Sequence, residues 1–435
     1  MTKQIMLPSK EREAIIDLIH RQVIPAIGCT EPMAVALCVA KAAEILGKRP
    51  ERIDLSLSGN ILKNAMGVGI PGTGMIGLPI AIALGALIGK SEYMLEVLRE
   101  CTPEAVERGK EYIAEDRIHI AYEKEDPDKL YIKVCCYAGN HESEAVIRTT
   151  HTNFIYQRRD QEVILDNTRL KAETAVSEDT LQLTMRKVYD FATTSPIDEL
   201  DFILEAKRLN EAVSEEGLKG NFGHRIGKTV SSAIGRGVMG DGIMTKVISK
   251  TGAACDARMA GAMLPVMSNS GSGNQGICAT MPVVVFAAEN NNSEEELIRA
   301  LILSNLTAIY IKQSLGPLSA LCGCVVAGTG SSVGITYLMG GNYDQITYAV
   351  KNMVANLTGM ICDGAKPSCA FKISTGVGTG VMSAMMAMQQ RYVTSVEGII
   401  DDDVDRCIRN LTTIGKDGMN ETDRRVLEIM TDKTK

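Results

Sequence analysis

The sequence predicts an α+β fold in which a large helical domain adjoins a smaller α+β domain containing an antiparallel sheet. Three observations predict it. Apolar residues recur at helical spacing near the N-terminus and again beyond about residue 180; alternation with period two is confined to a block between about 117 and 166; and glycine-rich joints separate the apolar runs of the C-terminal half.

Taken in order, "REAIIDLIHRQVIPAI" and "PMAVALCVAKAAEILG" read as helices, the second opening at Pro32 and stopping at Gly47. "RIDLSLSGN" at 52–60 alternates as a strand does and empties into the glycine-rich loop "ILKNAMGVGIPGTG". The apolar run "MIGLPIAIALGALIG" at 75–89 has only 15 residues, too few to span a bilayer, and reads as a buried helix. "RIHIAYEKE", "KLYIKVCCYAG", "SEAVIRTTHTNFIYQ" and "QEVILD" follow as strand-like runs separated by turn residues. The polar stretch at 166–179 serves as a linker to the helical remainder. The expected organisation is therefore N-terminal helices (1–49) packed on the larger domain, a small α+β domain (50–170) and a helical domain (180–435).

With 435 residues, 45% of them hydrophobic, the chain can bury cores for two or three domains. Its net charge of −7 and the absence of any basic stripe argue against nucleic acid and against an anionic membrane surface, and favour a small ligand. The N-terminal stretch lacks the basic, apolar and small-residue order of a secretory signal, so a cytoplasmic location is expected and disulfides are disfavoured. Many glycine-rich apolar helices suit a homodimer. Of the twelve cysteines, Cys38, Cys135, Cys136, Cys101, Cys255, Cys278 and Cys407 read as small core hydrophobes.

Two further groups invite chemistry. "GMICDGAKPSCAF" places Cys362 and Cys369 around Gly364 and Pro367, and "LSALCGCVVAG" places Cys322 and Cys324 in a C-x-C. Thiolates suit zinc and iron–sulfur clusters, but neither pair is the C-x2-C of a zinc ribbon, so spacing alone leaves metal ligands and buried thiols both open.

Together "IPAIGCTEP", "SNSGSGNQGI", "LCGCVVAGTGSSVGITYLMGG" and "GMICDGAKPSCAFKISTG" resemble the iron–sulfur L-cysteine desulfidase family, related to the alpha chain of bacterial iron–sulfur L-serine dehydratase. The resemblance implies a [4Fe-4S] cluster held by three cysteines, here Cys322, Cys362 and Cys369, with Cys324 the rival to Cys322 and one iron left open. It makes the helical domain the cluster-binding catalytic domain and assigns the base for the α-proton to Cys29. Cys29 precedes the helix opening at Pro32, where the helix N-terminus favours a thiolate; the other reading is a resting-state fourth ligand. The implied reaction turns L-cysteine into sulfide, ammonia and pyruvate, with L-serine dehydration as the close variant.

Substrate recognition falls to "SNSGSGNQGI", which offers Ser270, Gly271, Ser272, Asn274 and Gln275 as amides and small polar groups for a carboxylate. Asn60, Lys63 and Asn64 in "SGNILKN" form a second such strip, although Lys63 also fits a solvated helix face. His224 reads as a structural loop histidine outside the site. Two other classes compete: a pyridoxal-phosphate lyase, for which no Schiff-base lysine can be nominated, and a non-enzymatic iron or redox sensor, which would need neither the substrate strip nor Cys29.

Overall fold

The structure, a computed structural model, describes residues 5–124, 128–168, 181–316 and 319–432. Its strands are β1 (Pro25–Ala26), β2 (Arg52–Ser58), β3 (Ile118–Glu123), β4 (Tyr131–Ala138), β5 (His141–Arg148), β6 (Phe154–Arg159), β7 (Glu162–Asp166) and β8 (Val266–Met267). Six of them form one sheet in the order β3-β2-β4-β5-β6-β7. The period-two runs thus become strands, but the sheet is mixed rather than antiparallel throughout, because β2 and β3 pair in parallel. Three α-helices, Gly59–Ala65, Leu78–Ile88 and Pro103–Ala114, lie in the connection between them, and a crossover of that length brings the chain back in the same direction. The β4–β5 turn, with Gly139 at φ +58°, makes an antiparallel hairpin. The proposed 166–179 linker lies for the most part outside the described residues.

Alternation along β4 buries Ile132, Val134, Cys136 and Ala138 on one face. Helix Thr30–Leu46 covers that face, and the Cys38 thiol donates to the Ala145 carbonyl at 3.3 Å. This helix is apolar on almost every side and needs cover all round, which the sheet and helix Leu78–Ile88 supply. A Cβ on Gly85 would lie 2.7 Å from the Ala36 carbonyl oxygen, so the glycine sets the spacing of the two helices. Helix Ser9–Gln22 carries only a narrow apolar stripe, and its Ile15, Leu18 and Ile19 join a different, larger helical core. The two N-terminal helices therefore part company instead of packing together on the helical side.

The larger core is built around helices Gly273–Glu289, Glu294–Leu315, Gly323–Leu338 and Cys369–Met388. The N-terminal segment is stitched to it by β1 pairing with β8, extended by Ser268 and Ser270 amides donating to the Ile24 and Gln22 carbonyls, each at 2.9 Å. That seam carries the Cys29 loop to the glycine-rich strip at 268–277. At the other end of the chain, helix Asn420–Thr431 crosses back and inserts Leu427 into the sheet-side core. No helix among the described residues is long and apolar enough to cross a membrane.

Candidate active site

Backbone pairing draws the two cysteine motifs together. Leu321 and Ile361 form an antiparallel bridge; the Cys322 amide donates to Met360 at 2.9 Å and the Cys362 amide to Ala320 at 2.6 Å. Cys322 occupies the N-cap position of helix Gly323–Leu338, and Cys369 is the first residue of helix Cys369–Met388. Two helix N-termini, each favouring negative charge, thereby present a cysteine. The intervening loop turns through Gly364 at φ +90° and is held by Asp363, which pairs with Lys366 at 2.6 Å and also with Lys372.

The four sulfurs are not equivalent. Cys322, Cys362 and Cys369 are half-buried, whereas Cys324 is buried with its sulfur 3.0 Å from Met360 Sδ. A hydrogen bond from the Cys324 thiol, with an amide and Lys372 assisting, brings Cys322 down to about 7 against the opposing effect of burial. Burial pushes Cys369 up to about 11, and burial with the neighbouring Cys322 sulfur raises Cys362, which Lys63 and Lys372 oppose.

Among the described residues no three His, Cys, Asp or Glu side chains are grouped to hold a single metal ion. A cubane makes a different demand, since each of its thiolates binds a separate iron atom. Three half-buried cysteines, two helix N-termini and two flanking lysines form a donor set that fits an anionic thiolate-bound cluster.

Cys29 sits across the seam, at the N-cap position of helix Thr30–Leu46 after a turn at Gly28 (φ +70°). It is 6% exposed and, against the sequence expectation, the helix N-terminus does not make it a ready thiolate: burial and then the Glu31 carboxylate raise its pKa well above the ordinary thiol value, and the charge of Arg258 opposes them. The thiol donates to Glu31 Oε2 at 2.9 Å, Thr30 Oγ1 donates to the same oxygen at 3.2 Å, and Asn64 Nδ2 donates to Oε1 at 3.1 Å.

The glycine-rich strip divides by role. Ser272 caps helix Gly273–Glu289, and Ser270 donates to Asn269 Oδ1, so both hydroxyls serve the local fold. Gly271, at φ +78°, has open space above its Cα. Asn274 accepts from Arg258 Nη1 at 3.0 Å. Gln275 is buried, its Oε1 has no partner, and its side chain lies against Gly323 of the C-x-C. Of the second strip, Asn64 reaches Glu31, while Asn60 and Lys63 line a cavity of about 270 Å³ with Lys129, Asp423 and Arg424. Lys63 is not on a solvated face: its side chain is 2% exposed and pairs with Asp423. The His224 ring lies 5.4 Å from that of Phe371, two residues after Cys369.

Four residues escaped the sequence reading. Glu31 lies two residues after Cys29 in "GCTEP". Arg258 is buried, donates to the Gly28 carbonyl at 2.8 Å, and leaves Nε without a partner. His151 has a buried Nε2 without a partner and lies within the field of Glu31. Lys312, at the end of helix Glu294–Leu315, is held down to about 8 by burial, opposed by Cys362 and Glu31. It thus lies within electrostatic reach of both the cysteine centre and the Cys29 loop. No local pattern marked any of the four.

The α+β fold thus cross-pairs two cysteine motifs at helix N-termini and sets a cysteine–carboxylate pair at the start of helix Thr30–Leu46. The chain belongs to the serine dehydratase alpha chain family, whose model matches residues 92–428. It is 67% identical over 426 residues to a UPF0597 protein of Bacteroides thetaiotaomicron, covering 97% of this chain and 98% of that one. A UPF0597 protein of Parabacteroides distasonis is 60% identical over 422 residues (97% and 98%), and one of Aeromonas hydrophila 45% over 417 (95% of each). The relationship is to a lyase family.

Proposed function

We propose that the chain is a [4Fe-4S]-dependent carbon–sulfur lyase converting L-cysteine to sulfide, ammonia and pyruvate in the cytoplasm, with L-serine dehydration as its nearest variant. The observation that carries this reading is the cross-pairing of the Cys322 and Cys362 segments at the helix whose N-cap position Cys322 occupies, beside the N-terminus that begins at Cys369. When bound, the cluster supplies Lewis acidity toward the leaving group or the carboxylate.

The chain's own residues do the rest. Cys29 removes the α-proton. The open backbone at Gly271 and the carboxamides of Asn274 and Gln275 orient the substrate, with the orphaned Gln275 Oε1 available to its ammonium group. Lys312, whose side chain has no hydrogen bond or ion pair among the described residues, offers a cation to the carboxylate. Burial of Cys29 limits water around the carbanionic transition state.

Anaerobic purification with iron and sulfide analysis, followed by assay of L-cysteine and L-serine, tests the reading. Four irons per chain, no pyridoxal absorbance, and sulfide with pyruvate from cysteine are expected. A cluster-loaded protein that acts on neither amino acid would overturn it in favour of a sensor.

A further inference from the structure

A thiol that is to take a proton from carbon must first lose its own. Around Cys29 the candidate acceptors are few. Arg258 is a permanent cation bonded to Gly28 and Asn274, and the His151 and Lys312 side chains make no hydrogen bond to the sulfur. Among the described residues the Cys29 thiol proton points to one group, Glu31 Oε2 at 2.9 Å.

We propose that Glu31 is the terminal proton acceptor of the reaction, taking the Cys29 thiol proton while Cys29 Sγ takes the α-proton. The inference rests on the function proposed above, with Cys29 as base. Its geometry is specific: Asn64, from helix Gly59–Ala65, holds Oε1 and leaves Oε2 turned toward the sulfur, with Thr30 fixing the same edge. The charged and titratable groups that face the pair are Arg258 toward Cys29, and His151 and Lys312 toward Glu31. Burial and then the adjacent carboxylate hold Cys29 as a thiol at rest, which also protects it from oxidation until substrate arrives.

The balance closes without an outside reagent. The Sγ–H bond breaks as Glu31 gains its proton, and a new Sγ–H bond forms with the proton from Cα. The electron pair of the Cα–H bond becomes the Cα–Cβ double bond, and the Cβ–S bond breaks with its pair leaving on hydrosulfide, which keeps the substrate's thiol proton. The proton on Glu31 departs with that hydrosulfide as hydrogen sulfide, restoring the carboxylate. The resulting 2-aminoacrylate tautomerises to the imine, which water hydrolyses to pyruvate and ammonia.

The test combines kinetics with a thiol titration that needs no turnover. In the cluster-loaded full chain, Glu31→Gln should lower kcat by about 100-fold or more with little change in KM, the range expected for loss of a proton-transfer group. It should also move the pH profile of Cys29 alkylation by iodoacetamide, read by mass spectrometry of its own peptide, to lower pH, because a negative neighbour has gone. Glu31→Asp keeps the charge but withdraws it from the sulfur, and should fall between wild type and Gln in both readouts; it also serves if Gln does not fold. An unchanged alkylation profile, or wild-type kcat in Glu31→Gln, overturns the proposal. If no amino acid is turned over by the wild type, the functional reading fails, and the alkylation profile still decides whether Glu31 controls the Cys29 proton.

Discussion

Gly364 rests directly on the main chain of Lys63: a Cβ added to it would lie 2.1 Å from the Lys63 carbonyl oxygen, and its own φ is +90°. This contact joins the Cys362–Cys369 loop to helix Gly59–Ala65 on the sheet side, so the loop takes its shape from both cores. Gly364→Ala should cost about 1–2 kcal/mol from the left-handed backbone alone, more with the clash, and should displace Cys362. Thermal melting and iron content after reconstitution will show it; a variant with full iron and unchanged Tm would contradict it.

The buried Lys63 ammonium faces Asp423 from the C-terminal helix, with side-chain exposures of 2% and 21%. Asp423→Asn leaves that ammonium without its counter-charge and should destabilise the protein by about 1–3 kcal/mol, toward the low end because the aspartate is partly solvated. Lys63→Met should be milder than Asp423→Asn, since no buried charge is then abandoned. Urea denaturation of both variants gives the order.

Within the C-x-C, Cys324→Ser should retain iron, because its sulfur is buried against Met360, whereas Cys322→Ser should lose both colour and activity. Iron counts and the visible spectrum of the two reconstituted variants decide; the reverse order would exchange their roles.

Cys29→Ser should keep the cluster and substrate binding but lose turnover by about 100-fold or more, since a hydroxyl yields its proton to a neighbouring carboxylate far less readily than a thiol does. Exchange of the substrate α-proton with solvent, measured under nitrogen, should fall in parallel. Exchange at the unmodified rate would place the base elsewhere.

Lys312 carries a pH signature. Its pKa drops from 10.5 in the unfolded chain to about 8 in the fold, through burial, so the cost of its charge is full below pH 8 and vanishes above 10.5. Lys312→Met should therefore raise the Tm of the cluster-free protein at pH 7, and the difference should shrink as pH rises from 8 to 10.5. A Tm difference that does not vary with pH would show that the ammonium is not desolvated. The same variant should bind the amino acid more weakly, seen as a raised KM in the loaded enzyme.

Much of the architecture was legible because it rests on short-range periodicity. The alternation in "KLYIKVCCYAG" marks a strand wherever it pairs, and the apolar run at 75–89 must be buried in any fold. The parallel β2–β3 pair was not legible, since its direction follows from the long helical connection between the two strands. The separation of the two N-terminal helices was hidden too: a narrow stripe and an all-round apolar surface show how much cover each helix needs, but not which core supplies it.

By itself the sequence determined the helices and strands, the positions of Cys29, Cys322, Cys362 and Cys369, and the resemblance those positions carry, because spacing along the chain is a local property. Only the tertiary structure decided that the Cys29 proton faces Glu31, that Asn64 turns that carboxylate, that Arg258 ties the loop to Asn274, and that Lys312 lies within the fields of both Glu31 and Cys362. The physical reason is that hydrogen-bond direction and burial arise between segments as much as hundreds of residues apart. A carboxylate two positions from a thiol is a neighbour in any sequence, but it becomes a proton acceptor only where packing excludes water and leaves the thiol no other partner.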